Sequence, residues 1–148
     1  MKMENIVVGC DGSETATEAV ETAAQLSAWS GGTVHAVAAS NPRDDAEMRR
    51  RLSSMPAEYQ TAFSSGAHEL EILANVARTL ERRGVTCHTY QRSGDPADAI
   101  LSVADQVDAD LIVVGSRGLA RGTRRFRGSV STKVSAHADR SYLVILGD

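Results

Sequence analysis

The sequence is poor in the residues that mark several classes of protein. Its 148 residues include only two cysteines, Cys10 and Cys87, whose spacing fits neither a disulfide framework nor a metal site and indicates a reducing cytoplasm. No apolar run is long enough to span a bilayer, and the first five residues lack the pattern of a signal peptide. The chain is therefore expected to be one cytoplasmic domain, residues 1–148, with no membrane span.

Acidic residues are missing from one segment near the end of the chain. The net charge is −3, which gives no reason to expect a nucleic-acid partner. Between Arg117 and Lys133, however, there are six basic residues and no acidic one. The sequence thus combines an acidic chain with one concentrated positive segment.

Short apolar runs alternate with segments of helical periodicity. The predicted strands are Ile6–Val8, Thr33–Ala38, Val85–Arg92, Leu111–Val114 and Tyr142–Leu146. The first predicted helix follows the turn Asp11-Gly-Ser13, where Ser13 or Asp11 can cap it, and ends near Ser30. The second runs from about Pro56 to Arg83, with Leu70, Leu73, Ala77 and Leu80 on the core face. The third opens at Asp95-Pro96, an N-cap acceptor followed by a proline at the first helical position, and runs through Val107, and the fourth runs from about Ser129 to Ala138. This alternation predicts an α/β fold, an open parallel sheet with helices on both faces.

The segment Gly115–Ser129, which reads GSRGLARGTRRFRGS, follows the fourth predicted strand and holds four glycines and five arginines. In open α/β sheets, ligands bind beyond the carboxyl ends of the strands. Glycine lets the backbone approach an anion closely, and Gly128-Ser129 opens a helix whose free amides attract negative charge. Arginine supplies forked donors that suit phosphate. The segment therefore predicts a polyphosphate site.

Two standard phosphate motifs are absent, because the chain has no Gly-Lys pair for a Walker loop and no G-x-G-x-x-G fingerprint. The glycines instead have the spacing G-x2-G-x9-G-[ST], which resembles the signature of the universal stress protein family. The resemblance covers nearly the whole chain: IVVGCDGSETATEAVETA, GDPADAI, ADLIVVGSRG and SYLVIL resemble family segments in the same order. It implies a five-stranded sheet of order 3-2-1-4-5, of the adenine-nucleotide alpha-hydrolase-like class.

The resemblance also implies an adenine-nucleotide site, with ATP as the expected ligand, Mg²⁺ beside its phosphates and cyclic AMP or another adenine nucleotide as the open alternative. Asp11 is expected to contact the nucleoside, main-chain atoms at Val37 to hold the adenine, and Gly9, Cys10 and Val114 to form walls. The phosphate end would be lined by Gly115, Arg117, Gly118, Arg127, Gly128, Ser129, Val130 and Ser131. Arg127 departs from the family, which usually has an apolar residue there.

Several of these residues also have plain structural readings. Asp11 can cap the first helix as well as contact a ribose. Cys10 is expected to be a small buried residue rather than a redox sensor, and Trp29 to pack against the protein. The four histidines have no metal-ligand spacing, so structural or exposed roles are expected for them.

Three functions remain in competition at this point. The favoured one is a cytoplasmic, nucleotide-dependent regulatory protein of the stress response, with an unidentified protein partner and at most slow ATP hydrolysis. The alternatives are an enzyme that cleaves ATP and an interaction module that binds no nucleotide. A homodimer is expected through Tyr142–Leu146, because an exposed apolar edge strand favours pairing and the family commonly dimerises there.

Overall fold

A computed structural model of the protein describes residues 2–40, 50–51, 53–56, 66–116 and 129–147, with the side chain of Ser129 excepted. Within these ranges the strands are β1 (Asn5–Gly9), β2 (Thr33–Ser40), β3 (Thr86–Ser93), β4 (Leu111–Gly115) and β5 (Tyr142–Ile145). The helices are α1 (Glu14–Ser30), α2 (Ala67–Arg82), α3 (Pro96–Val107) and α4 (Ser129–His137).

The five strands form one parallel sheet of order β3-β2-β1-β4-β5. This confirms the predicted fold class and strand order. The central strands β1 and β4 are almost wholly buried, because helices cover both faces of the sheet. One apolar layer lies between the sheet and helices α1 and α2, and a second lies between the sheet and helices α3 and α4.

The position of Trp29 on helix α1 explains why this side chain is exposed. Ser13 caps the helix by accepting from the amide of Ala16, and Gly31 ends it in the left-handed region, with φ of 74°. The buried face carries only small side chains, ending at Ser27. Trp29 lies two residues further, about 200° around the helix, and its side chain is 83% exposed. The prediction that Trp29 packs against the protein is wrong.

Helix α2 begins later than its sequence pattern suggests. The helix starts at Ala67, after Gly66 with φ of 84°, and not near Pro56. The side-chain amide of Gln91 on β3 donates to the Gly66 carbonyl, with an N–O distance of 2.7 Å. Leu73 and Leu80 are buried as predicted, whereas Leu70 is exposed because the apolar stripe centres on the face shared with Ile72 and Val76.

Helices α3 and α4 cover the other face. Asp95 caps α3 by accepting from the amide of Asp98, and Pro96 occupies the first turn, as predicted. Ile100, Val103 and Ala104 of α3 and Val134 of α4 pack on the sheet. Since the strands are parallel, α1, α3 and α4 each begin at the carboxyl edge of the sheet.

Candidate functional site

The register of the sheet brings the predicted wall residues together at its carboxyl edge. Gly9 pairs with Val37 of β2, and the pairing of Val8 with Val113 places Gly9 beside Val114 of β4. A side chain on Gly9 would meet Ile100 of α3, whose Cδ1 atom would lie 2.6 Å from the added Cβ. Absence of a side chain at this position therefore lets α3 pack closely beneath the edge.

The turn after β1 holds Asp11 in a defined position. One carboxylate oxygen of Asp11, Oδ1, accepts from the amide of Ser13 at 2.8 Å, across Gly12 with φ of 81°. The helix cap itself is Ser13, whose Oγ lies 3.3 Å from the amide nitrogen of Ala16. Asp11 is half-buried and stabilises the turn rather than capping α1. Its carboxylate thus stands at the point where β1 ends.

Cys10 lies inside this edge and is a structural residue, which confirms that expectation. It is buried, and its Sγ atom lies 3.8 Å from the carbonyl oxygen of Val8. Burial, followed by the nearby Cys87 and Asp11, raises the pKa of the Cys10 thiol to about 12. The thiol therefore stays protonated at neutral pH and lacks the reactivity of a redox sensor.

The end of β2 extends past the end of β1. Val37 is buried, and its carbonyl oxygen accepts from the amide of Cys10 at 2.8 Å. Beyond Val37, residues Ala38–Ser40 pair with β3 only. Alternate residues of a strand direct their peptide groups to opposite neighbours, so the next groups directed to the β1 side belong to Ala39, which is half-buried. Ala39 is therefore better placed than Val37 to offer main-chain groups to a ligand.

Gly115 has a packing role that its sequence context did not reveal. A Cβ atom on Gly115 would lie 2.6 Å from the carbonyl carbon of Thr15 and 2.8 Å from the amide nitrogen of Ala16. The first turn of α1 thus lies directly against the end of β4. The φ of Gly115 is not in the positive range, so its glycine is needed for this close approach and not for an unusual backbone conformation.

The next residue, Ser116, is tied to the outermost strand. Its amide donates to the carbonyl oxygen of Ile145 at 2.8 Å, and its hydroxyl accepts from the amide of Gly147 at 3.4 Å. Ser116 is buried. The segment that follows β4 therefore starts from a position fixed by both β4 and β5.

The segment Gly115–Ser129, called the glycine segment below, ends at the start of α4. Ser129 is the first residue of α4, Val130 is half-buried against the α3/α4 layer, and Ser131 is buried. Arg117, Gly118, Arg127 and Gly128 lie outside the described residues. The described ends of the segment, Gly115 and Ser129, both lie at the carboxyl edge of the sheet.

An ion pair between α3 and α4 was missed by sequence reasoning. The Nζ atom of Lys133 lies 2.9 Å from Oδ1 of Asp98 and 3.2 Å from Oδ2 of Asp95. These hydrogen bonds, first that to Asp98, raise the pKa of Lys133. Partial burial raises the pKa of Asp95, but its bonds to the Asp98 amide and to Lys133 outweigh burial and lower that pKa overall. The Asp-Pro cap was recognisable in the sequence, whereas its partner 38 positions away was not.

The histidines provide no metal site in the described part of the chain, where no three potential metal-ligating side chains come together. His35 is buried on the sheet face, with Nδ1 2.9 Å from the hydroxyl of Tyr90 and Nε2 2.9 Å from Oδ1 of Asn5. Its ring stacks on that of His88, with centroids 5.6 Å apart. His35 thus has the structural role that was expected.

The fold is that of an α/β protein with an open parallel sheet, and the predicted site residues that the structure describes lie at its carboxyl edge. A sequence model of the universal stress protein family matches residues 2–145. The chain is 31% identical, over 144 residues, to universal stress protein MT1672 of Mycobacterium tuberculosis (strain CDC 1551 / Oshkosh), covering 96% of this chain and 95% of that protein. The chain belongs to the universal stress protein family.

Solved structures match the fold over the same extent. A universal stress protein in complex with cAMP superposes with a TM-score of 0.73 and 26% identity, covering 99% of this chain and 98% of the other. A universal stress protein family protein from Arabidopsis thaliana with AMP bound superposes with a TM-score of 0.67 and 23% identity, covering 97% and 92%. The second match shows the shared fold alone. No helix in the described ranges is long and apolar enough to cross a membrane.

Proposed function

We propose that the protein binds an adenine nucleotide at the carboxyl edge of its sheet and acts as a nucleotide-dependent regulatory protein of the stress response. The observation that carries the proposal is the convergence of three segments at that edge: the Gly9–Asp11 turn, the end of β2, and the two described ends of the glycine segment. Family membership and the cAMP complex of a relative that is 26% identical support it.

The ligand would lie across the edge from β2 to α4. Gly9, Cys10 and Val114 form the floor, Asp11 contacts the nucleoside, and the peptide groups of Ala39, just beyond Val37, meet the adenine. The phosphate end is assigned to Gly115, Arg117, Gly118, Arg127, Gly128, Ser129, Val130 and Ser131. The free amides at the start of α4 favour an anion, and the arginines add charge-assisted bonds.

ATP is the nucleotide we propose, with Mg²⁺ held chiefly by its phosphates. Mg²⁺ in nucleotide sites commonly takes one or two carboxylates together with phosphate oxygens. The described residues offer no cluster that would hold the ion without the nucleotide, so the phosphates would be its main ligands. The ion would screen the phosphate charge while the chain orients the nucleotide. Turnover is expected to be slow at most, because the proposed role is binding.

The decisive experiment is a ligand comparison on the native protein. Mass spectrometry of the copurifying small molecule identifies the adenine nucleotide, and melting temperature is then measured with ATP, AMP, cyclic AMP and adenosine, with and without Mg²⁺. A ligand at 100 times its Kd stabilises the folded state by about 2.7 kcal/mol. Absence of bound nucleotide and of any melting shift would favour the nucleotide-free interaction module, and turnover comparable to a dedicated ATPase would favour the enzyme.

A pair of glycine variants tests the assigned segment. Gly118→Val alters a signature position and should abolish protection by ATP while the unliganded protein still folds. Gly122→Val changes a glycine of the same segment outside the signature and is the matched control. Equal ATP affinity of the Gly118 variant and the wild type would refute the assignment.

The departure at Arg127 is tested in the same assay. Arg127→Leu restores the apolar residue typical of the family. We expect weaker ATP binding, by about 1–3 kcal/mol, if the guanidinium bonds a phosphate. Unchanged binding would show that Arg127 is solvated and would remove it from the proposed site.

The proposed assembly is a homodimer through β5 in the cytoplasm, with a regulatory protein as the further partner. Tyr142 and Leu143 on β5, and Leu146 just beyond it, are 43%, 38% and 73% exposed. Exposed apolar side chains on an edge strand favour association with a second copy. A monomer at high protein concentration would contradict this assembly.

A further inference from the structure

We propose that Lys133 is a positioning residue for the anionic part of the ligand. Its ion pairs with Asp95 and Asp98 fix the first turns of α4 and α3 against each other, and this orientation sets the affinity of the α4 amino terminus for a phosphate. The inference rests on the proposed nucleotide site and names a residue outside the glycine signature.

The contacts join the two helices at their amino-terminal ends. Lys133 is the fifth residue of α4, one helical turn after Ser129. Its Nζ atom is 2.9 Å from Asp98 and 3.2 Å from Oδ2 of Asp95. The same Oδ2 atom accepts from the amide of Asp98 at 3.0 Å and so caps α3. Lys133 therefore connects α4 directly to the cap of α3.

Helix α4 takes its stability from packing on the rest of the protein. It has nine residues, and a helix this short gains little stability by itself. Val134 is buried in the α3/α4 layer and Val130 is half-buried there. Apolar contacts such as these hold the helix to the sheet, but they are non-directional and so resist rotation or sliding less than hydrogen bonds do. The ion pairs one turn from Ser129 supply directional contacts that limit such movement.

Lys133 acts through α4 rather than by touching phosphate. Its ammonium already faces two carboxylates, so the three side chains together carry a charge of about −1 at neutral pH. A phosphate would be repelled by that group as a whole. The hydrogen bonds to Asp98 and Asp95 also raise the pKa of Lys133, which shows that both carboxylates interact with it.

A charge-balanced double variant separates positioning from simple charge. Lys133→Met with Asp98→Asn removes one positive and one negative charge and leaves the total unchanged. We expect ATP and AMP to bind up to about fivefold more weakly, the upper range for loss of an exposed ion pair, while adenosine binds within about twofold of wild type. The matched control is Lys2→Met with Glu4→Gln, an exposed pair near the start of the chain, which should bind all three ligands normally.

Each result by titration calorimetry supports or overturns the inference. Lys133→Arg, which keeps the pairing, should bind ATP as the wild type does, and this variant also covers the case in which the double variant folds poorly. Wild-type ATP affinity in the folded double variant would show that the ion pair does not set the affinity and would overturn the inference. An equal loss for adenosine would show a general structural effect. Failure of the wild type to bind any adenine nucleotide would overturn the proposed function and this inference with it, whereas the other failures leave the nucleotide site standing.

Discussion

The two edges of the sheet are built from opposite kinds of side chain. The β3 edge has eight residues, TCHTYQRS, which are almost all polar, and the β5 edge has four, YLVI, which are apolar. In the part of the chain that the structure describes, each of these strands pairs on one side only. An edge strand presents unpaired peptide groups to any other chain, and polar or charged side chains discourage such pairing. This difference between the two edges is the basis for proposing that a second copy pairs at the β5 edge and not at the β3 edge.

The polar edge is completed by contacts within the chain. Tyr90 on β3 bonds to His35 on β2, which in turn bonds to Asn5 on β1. The guanidinium of Arg92 lies over the Tyr90 ring, 5.5 Å from its centroid. Among the described residues no buried side-chain nitrogen or oxygen is left without a hydrogen-bond partner. The hydroxyl of Tyr90 and the ring of His35 at this edge therefore find their partners within the chain.

The largest expected effect is at the apolar edge. Leu143→Arg should convert the proposed dimer to a monomer, because a charged side chain cannot be buried there without a partner. Loss of a central interface residue costs about 2 kcal/mol, or about 30-fold in the dimer dissociation constant. Analytical ultracentrifugation measures the effect. Thr89→Arg on the exposed part of β3 is the control, and dissociation by that variant instead would reverse the assignment of the two edges.

The next effect is a loss of stability at the polar edge strand, β3. Tyr90→Phe removes the hydroxyl that bonds to the buried His35, and leaving a buried ring nitrogen without its partner costs about 1–3 kcal/mol. Tyr142→Phe on β5 makes the same chemical change at an exposed residue and should alter the free energy of unfolding by less than about 0.5 kcal/mol. Urea denaturation compares the two. Equal losses would show that the hydrogen bond to His35 contributes nothing.

A smaller effect is the pH dependence of the free energy of unfolding that His35 causes. Burial, and then the neighbouring His88, lower the pKa of His35 in the folded protein below its ordinary value. Between the folded pKa and the unfolded value of about 6.5 the unfolded chain binds more protons, so the free energy of unfolding falls as pH falls through this interval. Urea denaturation from pH 8 to pH 5 should show this decrease in the wild type and a weaker one in His35→Gln. Identical pH profiles would contradict it.

The smallest effect concerns Arg92. Arg92→Met removes the contact with the Tyr90 ring and the bond to Gln106, and a partly exposed cation–π contact contributes about 0.5–1 kcal/mol. Arg78→Met, on the exposed face of α2, is the control. A melting temperature lowered equally by both variants would show that the ring contact has no specific value.

The sequence predicted the features that depend on local hydrophobic periodicity and on the residues that cap helices. The order of strands and helices, the Ser13 and Asp95 capping turns and the burial of Cys10 follow from short patterns, and the structure confirms them. Contacts between segments that are distant in the sequence could not be predicted from such patterns. The place of Gly115 against Thr15 and the partners of Lys133 require the folded sheet. Trp29 was misjudged because large aromatic residues are usually buried, although its place on α1 faces away from the core.

The amide of Ser116 connects the start of the glycine segment, Gly115–Ser129, to the last strand. Because Ser116 bonds to Ile145 and Gly147, a force applied along β5 is transmitted to the first residue after β4 through two hydrogen bonds. The strand proposed to pair with a second subunit and the segment proposed to bind the nucleotide are thus mechanically coupled at Ser116.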